Sequence, residues 1–599
     1  MSQAAIERIS GCPINHTNNA SSSTSTTPSS STIMTTPPPT ASTSEMIASS
    51  SSTRNARSKS PVSTPLTPIS DSEQDPISEH IIHNSAPITR SSCFALPINP
   101  QLQSPLLRAP VEIIQKILIV SGGEDVQTIA RAAKVCRELR SIIYENPDQA
   151  LWRQIHLQHY DDPRLAGAFT KARSLGEIDW KRRIQDREFV RRIFHEWSHN
   201  KVEQVNQHIG LISSTLMDVY LDLPPTSESY DPSTSSDSLN TEILSNWIRS
   251  SLFKHMYESE YFVKPEFGTP TAYKEKLRGN QKRKRRNMID PIISRLHCLI
   301  RSEYNDESSE DREWRGFIRE SIYNTRNYHK KNDWGPFKED GKVDWNLLDA
   351  ISSAMMLNAQ AVIDSEPDAW LPAIQPMLYG VEPTRSLGFN NLTRPANLAE
   401  GEIWDWADVE GTWCGCYAFM DYADWVGLNQ PLLMARSGTE IDLSTYHEAL
   451  GDLMKLELKI CKDPFALGGR QSTSCPNHEF EESDRHPLPP MKSGLPSSDL
   501  LQPIYFHGSS APYPGDGPDT TQQAPTLPQN AIRGVVRLTA DNPPQVKWTL
   551  IIRYRGQDRW RLECVQVGGR GSKRGFFGIW SDAARSEHSP CGPAWYWKT

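Results

Sequence analysis

Residues 546–580 read VKWTLIIRYRGQDRWRLECVQVGGRGSKRGFFGIW, and their patterning decides the fold of the C-terminal part of the chain. Val546, Trp548, Leu550, Ile552 and Tyr554 recur at every second residue, which puts them on one face of an extended strand. Arg555-Gly556-Gln557-Asp558 has the composition of a turn. Arg559–Val567 then reads as the return strand, Gly568-Gly569-Arg570-Gly571-Ser572 as a second turn, and Gly575–Trp580 as a third strand. The glycine-rich turn is followed by a lysine, but it lacks the GxxxxGK[ST] order. It also lies between strands rather than before a helix, so it is a hairpin turn and not a phosphate loop.

The same texture of Trp, Gly and β-branched residues begins near residue 400, where Glu402–Asn429 reads EIWDWADVEGTWCGCYAFMDYADWVGLN. Between the two β blocks, Lys462 to Asn530 is rich in Pro, Ser and Gly. Upstream the apolar period changes from 2 to 3.6, over Lys181–Trp197, Ile243–Tyr257, Pro291–Tyr304 and Trp345–Ile363, with a polar loop at Thr226–Ser238. Nearer the start, 22 of the 33 residues from Ser21 to Thr53 are Ser or Thr, too few apolar groups to offset chain entropy. The expected architecture is therefore α+β and multidomain. It has a disordered tail (1–100), a small helical module (101–160), a helical linker domain (161–399), an antiparallel β-barrel-like domain (400–461 and 531–599) and a disordered insertion (462–530).

The helical module is Leu106–Trp152, LLRAPVEIIQKILIVSGGEDVQTIARAAKVCRELRSIIYENPDQALW. Pro110 suits a helix's first turn, where its missing N–H costs nothing, and Glu112 suits the positive end of the helix dipole. Ile113, Ile114, Ile117 and Leu118 form an apolar face, and Ser121-Gly122-Gly123 is expected to end the helix. A second helix carries Val126, Ile129, Ala130 and Ala133, and Val135-Cys136-Arg137 leads into Leu139, Ile142 and Ile143. Asn146-Pro147 breaks the chain and Leu151-Trp152 opens another helix. So small a module cannot bury this much apolar face alone; it needs a partner or a neighbouring domain.

The order Ala109-Pro110-Val111-Glu112-Ile113, Ile117-Leu118, Val135-Cys136-Arg137 and Leu151-Trp152 resembles an F-box. It departs from the family pattern at Ala109, where Leu is usual, and in a longer link from Leu118 to Val135. The β blocks resemble the C-terminal domain of a family of fungal F-box proteins, in turn similar to the β-barrel substrate domain of F-box only protein 31. The resemblance is carried by Gly411-Thr412-Trp413, Asp421-Tyr422, Asp558-Arg559-Trp560, Val565-Gln566-Val567-Gly568-Gly569, Ser572, Gly575, Gly578, Trp580 and Gly592-Pro593 before Trp595. It implies a substrate receptor of an SCF cullin–RING ubiquitin ligase, without catalytic residues of its own. Pro110, Ile113, Ile114, Ile117, Leu118, Val135, Cys136, Leu151 and Trp152 would bind the adaptor Skp1, with cullin and the RING subunit joining through Skp1. Protein substrates would be read by the barrel, through Trp413, Arg559, Trp560, Arg574 and Trp580 by residue type, and the comparison suggests a short segment at a protein's C-terminus. Two other readings stay open: an enzyme whose barrel encloses a small ligand, and an F-box scaffold outside any ligase.

Composition sets the remaining bounds. Hydrophobic residues make up only 37 %, prolines number 45, and a net charge of −8 gives no argument for nucleic acid. No apolar run approaches the roughly 20 residues needed to span a bilayer, and no secretory leader pattern stands at the start, so cytoplasm and/or nucleus is expected. The ten cysteines form no CxxC pair, and Cys414 and Cys416 share one strand face, so free thiols, no metal and no cofactor are expected. Neither GxSxG nor HExxH occurs, and the carboxylates of Trp404–Glu410 read as loop residues. Lys282–Arg286 is a run of five basic residues, either an import signal or a solvated face. Thr27-Pro28, Thr36-Pro37, Ser60-Pro61, Thr64-Pro65 and Thr67-Pro68 are either sites for a proline-directed kinase or part of an inert tail.

Overall fold

The computed structural model describes residues 104–599, apart from 168–177, 199–200, 226–237, 262–290, 301–308, 366–373, 375–379, 388–393, 430–440, 463–490, 492, 514–529, 555–556 and 586–588. The expected tail, the Ser/Thr-Pro steps and the Lys282–Arg286 run lie outside the described residues, as does most of the 462–530 insertion. Among the described residues the chain is α+β: twelve helices, all but one preceding a C-terminal antiparallel barrel.

The first four helices build the small module: α1 (Val111–Glu124), α2 (Val126–Ala132), α3 (Arg137–Tyr144) and α4 (Ala150–His159). Ile114, Leu118, Ile129, Leu139, Ile143, Leu151, Trp152 and Ile155 form its core, and Trp180 and Ile184 of α5 (Trp180–His195) complete it. Trp152 donates its indole N–H to the Ile143 carbonyl at 2.8 Å. Gly122 and Gly123 do not end α1, which runs on to Glu124. A Cβ on Gly122 would stand 3.1 Å from both Ile129 and Ile155, so glycine there lets α1 approach α2 and α4 closely. The chain turns instead at Asp125, whose carboxylate caps α2 by accepting from the Gln127 N–H at 2.9 Å.

The helical middle continues with α6 (Val202–Leu221), α7 (Leu239–Ile248), α8 (Ser251–Tyr261), α9 (Pro291–His297), α10 (Ser309–Tyr323) and α11 (Trp345–Ser365). The Ile243–Tyr257 pattern is two helices, broken at Arg249-Ser250, and α9 is shorter than its pattern. Helix α11 is buried nearly all round between the other helices and the barrel, and its buried Asp349 is held by His297 and the Tyr257 hydroxyl. The small module is seated on this body by buried polar groups. His156 of α4 meets Arg187 of α5 at 3.0 Å, and Arg187 and Arg183 both pair with Asp222, fully buried after α6. Asp161 accepts from Ser238 Oγ at 2.7 Å and from the Leu239 and Asn240 N–H groups, capping α7.

The barrel strands are β1 (Gly411–Phe419), β2 (Ala449–Leu450), β3 (Met454–Cys461), β4 (Ile504–Pro512), β5 (Asn530–Leu538), β6 (Val546–Tyr554), β7 (Gln557–Gln566), β8 (Phe576–Asp582) and β9 (Cys591–Lys598), with α12 (Tyr422–Asn429) after β1. Each pairs antiparallel with the next, and β1 pairs with both β3 and β9, closing eight strands; β2 adds a short pairing at the end of β1. Strand β4 lies inside the expected insertion. Its sequence IYFHGSSAP looks like loop because closeness, not apolarity, shapes it. A Cβ on Gly508 would lie 2.0 Å from the Glu457 carbonyl of β3.

The period-2 reading of β6 holds: Val546, Trp548 and Leu550 point into the lumen. Trp548 stacks on Phe576 at 4.6 Å between centroids, and Trp413 meets both Trp548 at 5.0 Å and Phe576 at 5.2 Å. The outer faces of β1, β7, β8 and β9 share a core with the helices: Cys414, Cys416, Val565, Phe577, Ile579, Trp595 and Trp597 pack with Ile351 and Met355 of α11 in one cluster. Helices α10 and α11 thus form an outer layer on the barrel.

Candidate functional site

Two surfaces leave apolar groups uncovered by the rest of the described chain. The first is on α1. Ile114, Leu118 and Gly122, spaced four apart, face inward. Ile113, Ile117 and Val120 lie on another side and are 52 %, 46 % and 58 % exposed. At about 100° per residue these three fall within roughly 60° of arc. Val135, in the turn before α3, is 75 % exposed. Six of the ten exposed large apolar side chains among the described residues lie between Leu106 and Val135, so this face carries most of the exposed apolar surface described.

The expected adaptor contacts therefore divide. Ile113, Ile117 and Val135 point outward, with Pro110 exposed where α1 begins. Cys136 is half-buried, and its Sγ accepts from the Leu139 N–H as the α3 cap. Ile114, Leu118, Leu151 and Trp152 belong to the module's own core and present nothing to a partner.

The second surface is one end of the barrel. The other end is shut by Trp406, Leu501 and Trp413, and by Arg570, whose guanidinium donates to the Trp406 carbonyl at 3.3 Å. At the open end part of the lumen lining is only half-buried, namely Tyr417 on β1, Ala449 on β2, Met454 on β3, Ile552 on β6 and Trp560 on β7, while Phe419 at the end of β1 is buried among them. Trp580 stands beneath them, edge-on to Trp560 at 5.2 Å and to Tyr417 at 6.1 Å, its indole N–H held by the Ala418 carbonyl at 2.9 Å. Arg559 lies over the Trp560 ring, 5.0 Å from its centroid. Burial, with the charge of Asp452 second, keeps the Tyr417 hydroxyl protonated well above its ordinary range.

Of the five expected substrate contacts, Arg559, Trp560 and Trp580 come together here. Trp413 does not: it is buried at the closed end with its N–H on the Val409 carbonyl at 2.9 Å. Nor does Arg574, which is buried and donates to the Leu299 carbonyl at 3.0 Å and to the Gly380 carbonyl, binding the β7–β8 turn to the helical body. Tyr417 was missed in sequence, although it shares the period-2 face of Trp413.

Other candidate chemistry dissolves into structure. Asp405 accepts from the Val409 and Glu410 N–H groups, both at 2.8 Å, and shapes the turn into β1. Cys414 and Cys416 do share one face, where burial pushes the Cys414 thiol up to about 11 and the Cys416 thiol higher still. Among the described residues no three His, Cys, Asp or Glu side chains gather to hold a metal, and no helix is long and apolar enough to cross a membrane. No protein-family model, curated protein or solved structure matches the chain.

Proposed function

We propose that the chain is an F-box-type substrate receptor, which docks on Skp1 through α1 and the Val135 turn and presents a protein substrate at the open end of its barrel. The observation that carries this reading is the outward stripe Ile113, Ile117 and Val120 on a module whose core is already complete without it. An exposed apolar stripe beside a satisfied core is stabilised by a partner, not by the chain itself. The buried His156–Arg187–Asp222 contacts give the module a fixed seat on the body that carries the barrel. Ubiquitin transfer would then rest on proximity, the receptor holding a substrate lysine near a charged enzyme of the ligase.

The aromatic filling of the lumen weighs against a small-ligand enzyme, since Trp413, Trp548 and Phe576 occupy the space an enclosed ligand would need. The deciding experiment mixes the purified chain with Skp1, cullin and the RING subunit. Co-elution of all four supports a ligase receptor. Retention of Skp1 without cullin means a scaffold, and absence of Skp1 from the complex sinks the proposal.

A further inference from the structure

The open barrel end is rich in hydrogen-bond donors as well as in aromatic surface. Among the described residues, the arginines of the barrel are otherwise engaged. Arg533 pairs with Asp558 at 2.7 Å, Arg561 and Arg585 with Glu563 at 2.6 and 2.9 Å, and Arg537 donates to the Met491 carbonyl at 2.7 Å. Arg553 shares Asp558, and Arg570 and Arg574 hold carbonyls. Arg559 differs. Its one carboxylate partner among the described residues, Asp582, forms only a long ion pair at 3.9 Å, beyond hydrogen-bond distance, and one Asp582 oxygen already accepts from the Ala584 N–H at 2.7 Å. The Arg559 side chain is 39 % exposed and makes no hydrogen bond. The Trp560 indole N–H likewise has no hydrogen-bond partner among the described residues, whereas the hydroxyl end of the Tyr417 ring is packed against Gly451 and largely buried, with Asp452 the nearest charge.

Such a mouth suits a ligand that brings an apolar group for the rings and acceptors for the donors. A cationic ligand is disfavoured, because Arg559 already covers the Trp560 face and would repel it. We infer that the open barrel end takes an apolar side chain of a protein partner followed directly by an acidic residue, whose carboxylate pairs with Arg559. This rests on reading the barrel as the substrate-recognising part.

The test uses the full chain in complex with Skp1 and an array of acetylated, amidated decapeptides. The arrayed peptides carry Leu, Phe or Ala followed by Asp, Asn or Lys, with free-acid versions alongside. The expected result is retention of Leu-Asp and Phe-Asp about tenfold above the matching Asn peptides, and well above Ala-Asp. Arg559→Gln should erase the preference for Asp while keeping that for Leu and Phe, and Arg559→Glu should shift it to Lys. Equal binding of Asp and Asn peptides, preference for Lys by the unaltered chain, retention of free-acid ends alone, or no retention would each overturn the inference. Skp1 co-elution in the same samples is scored separately, so loss of the receptor reading and loss of this specificity are told apart.

Discussion

Ile117 and Leu118 are neighbours in α1 with opposite surroundings: Ile117 is exposed, while Leu118 is buried against α2 and α4. One turn of helix thus serves two purposes, and the two are separable by mutation. Leu118→Ala should cost roughly 2–5 kcal/mol of stability, from lost burial and the cavity left behind. Ile117→Asp should change the stability of the free chain by no more than about 0.5 kcal/mol, because Ile117 is nearly half exposed and lies outside the module's core. Thermal unfolding of the two variants checks this; equal destabilisation would mean that α1 is oriented differently.

The two glycines of α1 should respond in opposite directions to alanine. Gly123→Ala meets only the carboxamide end of Gln158, 2.4 Å from the new Cβ, and that flexible side chain can swing away. The helix propensity gain of up to about 1 kcal/mol then dominates. Gly122→Ala meets Ile129 and Ile155 at 3.1 Å in the core, where neither can retreat without losing packing, so it should destabilise. Chemical denaturation of the two variants side by side measures the difference in sign.

His156 makes stability depend on pH. Burial first, then the charge of Arg187, lowers its pKa from 6.5 to about 2, so the folded chain keeps it neutral. Below 6.5 the unfolded chain binds a proton that the folded chain refuses. The contribution is therefore fully present above 6.5 and is lost as pH falls, at up to about 1.4 kcal/mol per pH unit. Urea unfolding at about pH 5 and about pH 7.5 should show this slope, and His156→Asn should flatten it. An unchanged slope in that variant would place the proton uptake elsewhere.

Much of the fold is legible in sequence where one strand face is apolar and the next residue is not, as in β6. It is illegible where space rather than water decides the residue, as at Gly508 in β4 and Gly122 in α1. The apolar faces of α1 could be read from sequence but not divided into inward and outward. Ile113, Ile114, Ile117 and Leu118 span a wide arc of α1, and nothing in their spacing tells which pair turns inward. The cluster at the open barrel end was half visible. Arg559, Trp560 and Trp580 fall within one hairpin, while Tyr417 joins them only through closure of β1 on β9. Trp413 and Arg574 are of the residue types that anchor ligands, yet they anchor the barrel to itself and to its helices.

The central claim is that α1 carries the Skp1 face. The most direct measurement is the affinity of the full chain for purified Skp1, compared with that of the Ile113→Asp/Ile117→Asp double variant, both shown to unfold at the same temperature. The account predicts a stable one-to-one complex for the unaltered chain and its loss in the variant. Equal binding by both, or no binding by the unaltered chain, would contradict it.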